Sequence, residues 1–174
     1  MLSPHSSESE GQLIASELPV STQLRGEDEK DTALLRGMAE EASHYISSFS
    51  WCMNVLDQYF AGGVGGIFAI FFFRIQPARA DIDPWIWVMV GDVPPAYLPV
   101  TDCKSSAEAF RLYVAGMRRW CEVARRGTDG MHEPDIPPVN VPATPEWAEQ
   151  LSKRLRVLEF AVKPFFETDQ PNLQ

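Results

Sequence analysis

Residues 62–76, with the sequence GGVGGIFAIFFFRIQ, constrain the fold more than any other segment, because four glycines precede a nearly uninterrupted apolar run. The run is too short for a membrane span, since Val64 to Phe73 covers ten residues and a spanning helix needs roughly 20. It also departs from the dinucleotide-binding pattern G-x-G-x-x-G, because Phe68 stands where the third glycine is required. We therefore expect neither a membrane helix nor a phosphate-binding loop.

The remaining interpretation of this segment is a helix end followed by a buried strand. The glycine pair at 62–63 can adopt the left-handed backbone that terminates a helix, and the pair at 65–66 permits a tight turn or a bulge. Residues 67–75 then alternate between two faces that are both apolar, which is typical of a strand covered on both sides. The segment predicts an inner strand of a sheet.

A second segment of the same character, PWIWVMVGD at 84–92, follows the mostly polar link 76–83. A short polar link between two apolar runs indicates a hairpin, so we expect the two strands to pair antiparallel. A third short strand is predicted around 97–100, after a turn that contains two prolines.

Residues 32–60 place apolar side chains mostly four positions apart, the spacing of one helical face. The sequence therefore predicts a helix over this range, although serines at 47, 48 and 50 argue against one unbroken helix. The predicted stripe comprises Leu34, Met38, Ala42, Tyr45, Phe49, Met53, Leu56 and Phe60.

The clearest helix is predicted over 105–126. Ser105 and Glu108 match a capping box, in which each side chain satisfies an exposed backbone N–H group, and Gly127 ends the helix. Its predicted buried stripe comprises Phe110, Tyr113, Val114, Met117, Trp120 and Ala124.

A third helix is predicted from Thr144, the N-cap residue, with Pro145 at the first helical position. We expect Pro164 to end it. The four prolines within 127–143 predict an extended crossing loop between the second and third helices. The predicted stripe of the third helix comprises Trp147, Leu151, Leu155, Leu158 and Val162.

These elements predict an α+β fold, with a small antiparallel sheet of two to three strands packed by about three amphipathic helices. We expect residues 1–31 to form a disordered or loosely attached acidic tail, because they lack sustained periodicity and are rich in Ser and Glu. Residues 32–166 are expected to form a single α+β domain, and 167–174 a C-terminal tail.

The net charge of −9 argues against nucleic acid as the main partner, because phosphate binding needs a concentrated basic surface. Three scattered cysteines without a C-x-x-C pair argue against a disulfide framework and a structural zinc site. The N-terminus lacks the basic and apolar regions of a secretory signal. We therefore expect a cytoplasmic protein that has no cofactor or metal and binds no membrane.

No nucleophile with a neighbouring base is visible. Cys103 lies beside Lys104, which would lower its pKa, but no histidine is close in sequence. His44 is expected to be a partly buried polar residue of the first helix, and His132 to lie in a solvated loop. The histidines of the chain are His5, His44 and His132, and its cysteines are Cys52, Cys103 and Cys121.

Carboxylates around the second strand offer more chemistry. Asp92 stands where a strand meets a rigid turn, a common place for functional residues, although a carboxylate there often binds turn backbone instead. Asp81 and Asp83 precede the same strand and are expected at its other end, which disfavours a carboxylate pair with Asp92. The binding residues that we predict are Asp92, Tyr97, Asp81, Asp83, Arg74 and Arg79.

The strand and turn WIWVMVGDVPPAYL at 85–98 resemble the motif W-x-W-V-x-x-G-D-[LV]-P-P-A-Y-L of a family of small bacterial proteins of unknown function. A later motif of that family, N-V-P-x-T-P-E, resembles residues 140–146. The resemblance covers about residues 45–160 and leaves out the acidic tail. It implies a bacterial protein that shares the family's fold, and it implies no activity.

These observations favour a non-enzymatic protein-binding domain; the general form, an interaction domain of unspecified role, is favoured over the specific forms, which neutralise a toxin or regulate a partner. An acidic surface speeds association with a basic partner, and a homodimer is left open. The alternative is a small enzyme or ligand-binding domain with its site at the turn from Gly91 to Tyr97. A deep pocket holding Asp92 with a raised pKa would favour that alternative.

Overall fold

The sheet expected from the apolar runs is present in the computed structural model, which describes residues 4–127 and 131–167. All neighbouring strands pair antiparallel, and their spatial order follows the chain. The strands are β1 (Cys52–Val64), β2 (Phe68–Pro77), β3 (Trp85–Gly91) and β4 (Ala96–Pro99).

Helices cover both faces of this sheet. The helices are α1 (Pro4–Ser16), α2 (Glu29–Ser47), α3 (Ser106–Arg126), α4 (Pro145–Val157) and, after a π-helical turn at Leu158–Val162, the short α5 (Lys163–Glu167). One face packs against α2, and the other packs against α1, α3, α4 and α5. The described residues thus have the predicted α+β composition, with one more strand than expected and with α1 as an additional helix.

The two apolar faces of β2 are both buried, as the sequence predicts. Phe68, Ile70 and Phe72 belong to the core beneath α3, whereas Phe71 and Phe73 belong to the core beneath α2. All five side chains are fully buried. Burial on both sides therefore explains why β2 has no polar face, and β3 is apolar on both sides for the same reason.

The helix predicted over 32–60 is wrong in its second half, because α2 ends at Ser47 and β1 begins at Cys52. A spacing of four is also an even multiple of the strand period, so the apolar pattern fits a helix and a strand equally well. The predicted stripe is wrong at Leu34, Met53 and Leu56, which are exposed, and is confirmed at Met38 and Ala42, which are buried. The true buried side of α2 comprises Thr32, Leu35, Met38, Ala39, Ala42 and Ile46.

Gly62 and Gly63 lie inside β1 and do not end a helix. Both have positive φ angles, 129° and 156°, at a register shift between Phe60 and Gly62. A Cβ on Gly63 would lie 2.6 Å from the Ala69 Cα atom of β2. The glycines therefore permit a bulge in β1 that only a residue without a side chain can adopt.

The predicted ends of α3 are confirmed. The Ser105 side chain accepts a hydrogen bond from the Glu108 N–H group at 3.1 Å, and the Glu108 carboxylate accepts one from the Lys104 N–H group at 2.9 Å. Gly127 ends the helix with a φ angle of 106°. All six residues of the predicted stripe are buried.

The start of α4 is also confirmed, because the Thr144 side chain accepts a hydrogen bond from the Trp147 N–H group at 3.3 Å. Two details differ from the prediction. Ala148 is buried in place of Trp147, which is exposed. Pro164 does not end the helical segment, because the π-helical turn precedes it and the chain continues as α5.

The N-terminal segment differs from the loosely attached tail that we predicted. Ala15 of α1 is buried in the core beneath α3, and Leu24 is fully buried in the core beneath α2. Residues 1–3 and 168–174 lie outside the described residues, and with them most of the predicted C-terminal tail. Within the described part of the chain, no helix combines the length and the apolarity that crossing a membrane requires.

Candidate functional site

The predicted binding residues are divided between the two ends of β3. Trp85 at one end pairs with Arg74, and Gly91 at the other end pairs with Phe68. The strand has seven residues, so its ends lie roughly 20 Å apart at ~3.3 Å per residue. Asp81 and Asp83 therefore lie at the opposite end of β3 from Asp92, as expected, and the structure does not bring these carboxylates together.

Arg74 holds α1 on the sheet. Its guanidinium donates to the Glu8 carboxylate at 2.8 Å and lies 5.7 Å from the centre of the Trp85 ring. The Trp85 indole N–H group donates to the other oxygen of Glu8 at 3.2 Å. Arg74 is therefore engaged within the chain, and a structural role explains each of its contacts.

The other residues at this end also have structural contacts. Arg79 pairs with Asp81 at 3.1 Å, but both side chains are 71% exposed, so the pair adds little stability. Asp83 accepts hydrogen bonds from the N–H groups of Trp85 at 3.0 Å and Thr101 at 3.2 Å. Burial raises the pKa of Asp83 above its ordinary value, against the lowering effect of these hydrogen bonds. Asp83 therefore ties β3 to the segment after β4.

Asp92 stands at the opposite end, on the wall of an open cleft. Its carboxylate is 67% exposed and lies 3.5 Å from Nε of Arg154 on α4. The cleft has a volume of about 320 Å³, and Asn140 and Trp147 also line it. The exposure of Asp92 contrasts with the deep pocket that a catalytic carboxyl would favour.

Tyr97 belongs to a cluster of four half-buried aromatic rings at the edge of the sheet, which we call the ring cluster. Its members are Tyr45, Phe49, Trp51 and Tyr97. Ring centres lie 5.1 Å apart for Phe49 and Trp51, which stack, and 5.0 Å apart for Trp51 and Tyr97. Three elements meet here, because the rings come from α2, β4 and the link before β1.

Beside the ring cluster runs a cavity of about 540 Å³ that is open to solvent. We call it the edge groove. Its walls are β4, α3 and the proline-rich segment 134–138, and Tyr45 of α2 also lines it. Its apolar walls include Met89, Leu98, Leu112 and Met117. The volume lies within the range of ligand sites, roughly 300–1,000 Å³.

The polar groups of the edge groove are tyrosines and carboxylates. Burial raises the pKa of Tyr45 to about 12 and raises the pKa of Tyr113 further, so both hydroxyl groups are neutral donors. The Tyr113 hydroxyl donates to the Pro94 carbonyl at 2.5 Å. Asp102 and Asp135 are the carboxylates that line the groove, and Asp135 pairs with Arg119 of α3 at 3.5 Å.

The remaining candidates for chemistry are buried or solvated. All three cysteines are buried, and burial raises the pKa of each thiol, to about 12 for Cys103. The predicted lowering by Lys104 is therefore wrong, because burial and nearby carboxylates dominate. His132 is exposed as expected, whereas His44 is exposed and not partly buried as predicted. Among the described residues, no three His, Cys, Asp or Glu side chains are grouped so that they could hold a metal ion.

Sequence reasoning missed Arg154, Trp51 and the wall formed by 134–138. Arg154 is 62 positions from Asp92 in the chain, and a charged residue on a helix gives no signal that it faces a distant turn. Trp51 lies within the range 32–60 that the sequence predicts as helical, so the sequence gives no indication that it approaches Tyr97. The prolines of 134–138 indicated a stiff loop, but only the packing of Pro137 against Gly116 shows where that loop lies.

Comparisons with models of protein families, with curated proteins and with solved structures found no match to this chain. The resemblance to a family of small bacterial proteins therefore stays a prediction. Function is therefore inferred from the geometry of the ring cluster, the edge groove and the cleft beside Asp92.

Proposed function

We propose that this chain is a non-enzymatic binding domain that recognises another protein at the free edge of β4. The observation that carries the proposal is the ring cluster. Four aromatic side chains are held half-exposed in contact with one another, beside a groove with apolar walls. Tyr and Trp are the residues most enriched among those that dominate binding energy at protein interfaces.

The ring cluster is suited to binding because its members are already ordered. Each ring lies about 5 Å from a neighbour, so little side-chain entropy remains to be lost when a partner covers it. Large aromatic rings also bury much apolar area for few rotatable bonds. A partner that covers this surface gains apolar contact without reorganising the domain.

Charge indicates the kind of partner. The chain carries a net charge of −9, and Asp102 and Asp135 line the edge groove. A basic protein would associate fastest with such a surface, and salt would slow that association. In the specific form of the proposal, the domain acts in a bacterial cytoplasm, where it neutralises a basic toxin or regulates a basic partner.

The test is capture with matched tryptophan variants. Tagged wild-type protein, Trp51→Ser and Trp147→Ser are incubated with lysate of the organism, and retained proteins are identified and then purified for binding measurements. Trp51 belongs to the ring cluster, whereas Trp147 is a partly exposed tryptophan on the cleft beside Asp92. Circular dichroism establishes that both variants fold.

We expect a stoichiometric basic partner whose purified form binds the wild type and Trp147→Ser, with binding weakened at least about tenfold by Trp51→Ser. Added salt is expected to lower the association rate. A purified partner that binds Trp51→Ser as tightly as the wild type would contradict the proposal. The absence of any stoichiometric partner across several growth conditions would contradict the toxin-neutralising form.

A second candidate function is small-ligand binding at the turn from Gly91 to Tyr97. One observation favours it: Asp92 and Arg154 place opposite charges 3.5 Å apart on a cleft that also exposes the Trp147 ring. A thermal-shift screen of small charged compounds against the wild type, Asp92→Asn and Asp81→Asn tests it. A compound that stabilises the wild type and Asp81→Asn but not Asp92→Asn would favour this function.

A further inference from the structure

On the outer edge of β4, the backbone groups of Tyr97 are available beside the edge groove, whereas Pro99 has no N–H group and its carbonyl accepts from the Asp102 N–H group at 3.0 Å. Val100 donates to the Trp85 carbonyl of β3 at 3.0 Å, and Tyr97 pairs with Val88. Bonded and non-bonded pairs alternate along an antiparallel ladder, so Tyr97 directs its N–H and C=O groups away from β3. Among the described residues, no strand pairs with this edge.

The edge groove continues directly from these backbone groups. Tyr97 and Leu98 form one wall, Leu112 and Met117 of α3 form the second, and residues 134–138 form the third. A strand added to a sheet lies about 4.8 Å from its neighbour and directs alternate side chains to opposite faces. On β4, one set of those side chains would face α3 and the other would face the ring cluster.

The charge of the edge groove indicates which kind of peptide segment it would bind. Asp102 and Asp135 line the groove and are exposed. Arg119 of α3 pairs with Asp135 at 3.5 Å, so Asp135 is already partly neutralised and Asp102 carries the negative charge of the groove. A second copy of this chain would bring its own net charge of −9, and an acidic segment would be repelled. A segment that alternates apolar and basic residues fits both the walls and the charge.

We propose that the edge groove binds an extended, basic segment of the protein partner, which pairs with the outer edge of β4 as an additional strand. Its backbone would donate to and accept from Tyr97, and a Lys or Arg side chain would approach Asp102. Its apolar side chains would occupy the space between Leu98 and Met117. This inference rests on the proposed protein-binding function and specifies how the partner is recognised.

The experiment uses a display library of short random peptides, selected against the full wild-type chain at low salt. Recovered peptides are synthesised and titrated against the wild type, Leu112→Lys and Ala115→Lys. Both variants add one positive charge to an exposed position of α3, but Leu112 lines the edge groove and Ala115 is not among its lining residues. The pair therefore separates an effect in the groove from a general change in charge.

We expect the recovered peptides to alternate basic residues with aromatic or aliphatic ones. Leu112→Lys is expected to weaken their binding at least about tenfold, and Ala115→Lys no more than about twofold. In nuclear magnetic resonance spectra, the amide signal of Tyr97 is expected to move on titration, whereas that of Asp81 stays in place. Failure to recover peptides, recovery of acidic peptides, or equal effects of the two variants would overturn the inference.

The outcome is distinguishable from failure of the proposed function. A captured partner that needs Trp51 but binds Leu112→Lys as tightly as the wild type would leave the protein-binding function in place and overturn the groove as its site. A partner that loses affinity with both Trp51→Ser and Leu112→Lys would support both proposals.

Discussion

At the scale of single residues, Gly91 positions the turn that separates the cleft beside Asp92 from the edge groove. Its φ angle is 151°, a left-handed value that residues with a side chain rarely adopt. A Cβ on Gly91 would overlap with the Ile67 carbonyl oxygen, which accepts a hydrogen bond from the Asp92 N–H group at 3.0 Å. Close backbone approach therefore fixes where Asp92 lies.

We expect Gly91→Ala to lower the free energy of unfolding by about 2–3 kcal/mol, because a left-handed residue and a displaced carbonyl are both costly. The measurement is urea denaturation followed by tryptophan fluorescence. The control is Gly37→Ala on α2, where an added Cβ has no neighbour within 4 Å. That variant is expected to gain about 1 kcal/mol, because Ala is the better helix former. A Gly91→Ala protein as stable as the wild type would contradict this account of the turn.

Single residues were predictable where the deciding contact is local. The caps Ser105 and Thr144 were identified because each binds a backbone group three positions away. Asp92 and Tyr97 were identified as site residues from their turn, but their partners Arg154 and Trp51 were not. Those contacts join positions far apart in the chain, and one sequence contains no signal for such a pairing.

At the scale of elements, α1 is attached to the domain by ion pairs, by the close contact of Gly11 with Trp85 and by the buried side chain of Ala15. Glu8 binds Arg74 and Trp85, and Glu10 pairs with Lys104 at 3.0 Å. A Cβ on Gly11 would overlap with the Trp85 ring. A helix held in this way has a weak apolar pattern, which explains why the sequence suggested a loose tail.

We expect Gly11→Ala to detach α1, although Ala favours a helix, because the added methyl group would displace the Trp85 ring. Hydrogen exchange measures the result: amide protection over 4–16 should fall while protection in β2 is unchanged. Leu13→Ala serves as the control, since Leu13 is 68% exposed. Equal protection of α1 in Gly11→Ala and the wild type would refute this model of attachment.

At the scale of the whole molecule, buried thiol and phenol groups make the free energy of unfolding change with pH in the alkaline range. Burial, aided by Glu108 and Asp102, raises the pKa of Cys103 from 9.0 to about 12 in the folded protein. Burial also raises the pKa of Tyr45 from 10.0 to about 12. Between these values the folded state holds more protons than the unfolded state, so stability falls as the pH rises.

We expect the free energy of unfolding to decline above about pH 9, with Cys103 contributing up to about 1.4 kcal/mol per pH unit. Urea denaturation in reducing buffer at several pH values measures the slope. In Cys103→Ala the free energy of unfolding should fall less steeply between pH 9 and 10. This holds even if the loss of the side chain lowers the free energy of unfolding at every pH. Identical slopes in the two proteins would show that Cys103 does not titrate in this window.

The sequence by itself determined the α+β class, the two inner strands β2 and β3, the edge strand β4 and both ends of α3. These features depend on alternation, turn residues and caps, which act over a few neighbouring positions. The tertiary structure alone decided that β1 is a strand, because a four-residue apolar spacing satisfies both periods until the sheet supplies a neighbour. It also decided which side chains line the edge groove, since α3, β4 and 134–138 meet only when the chain is folded.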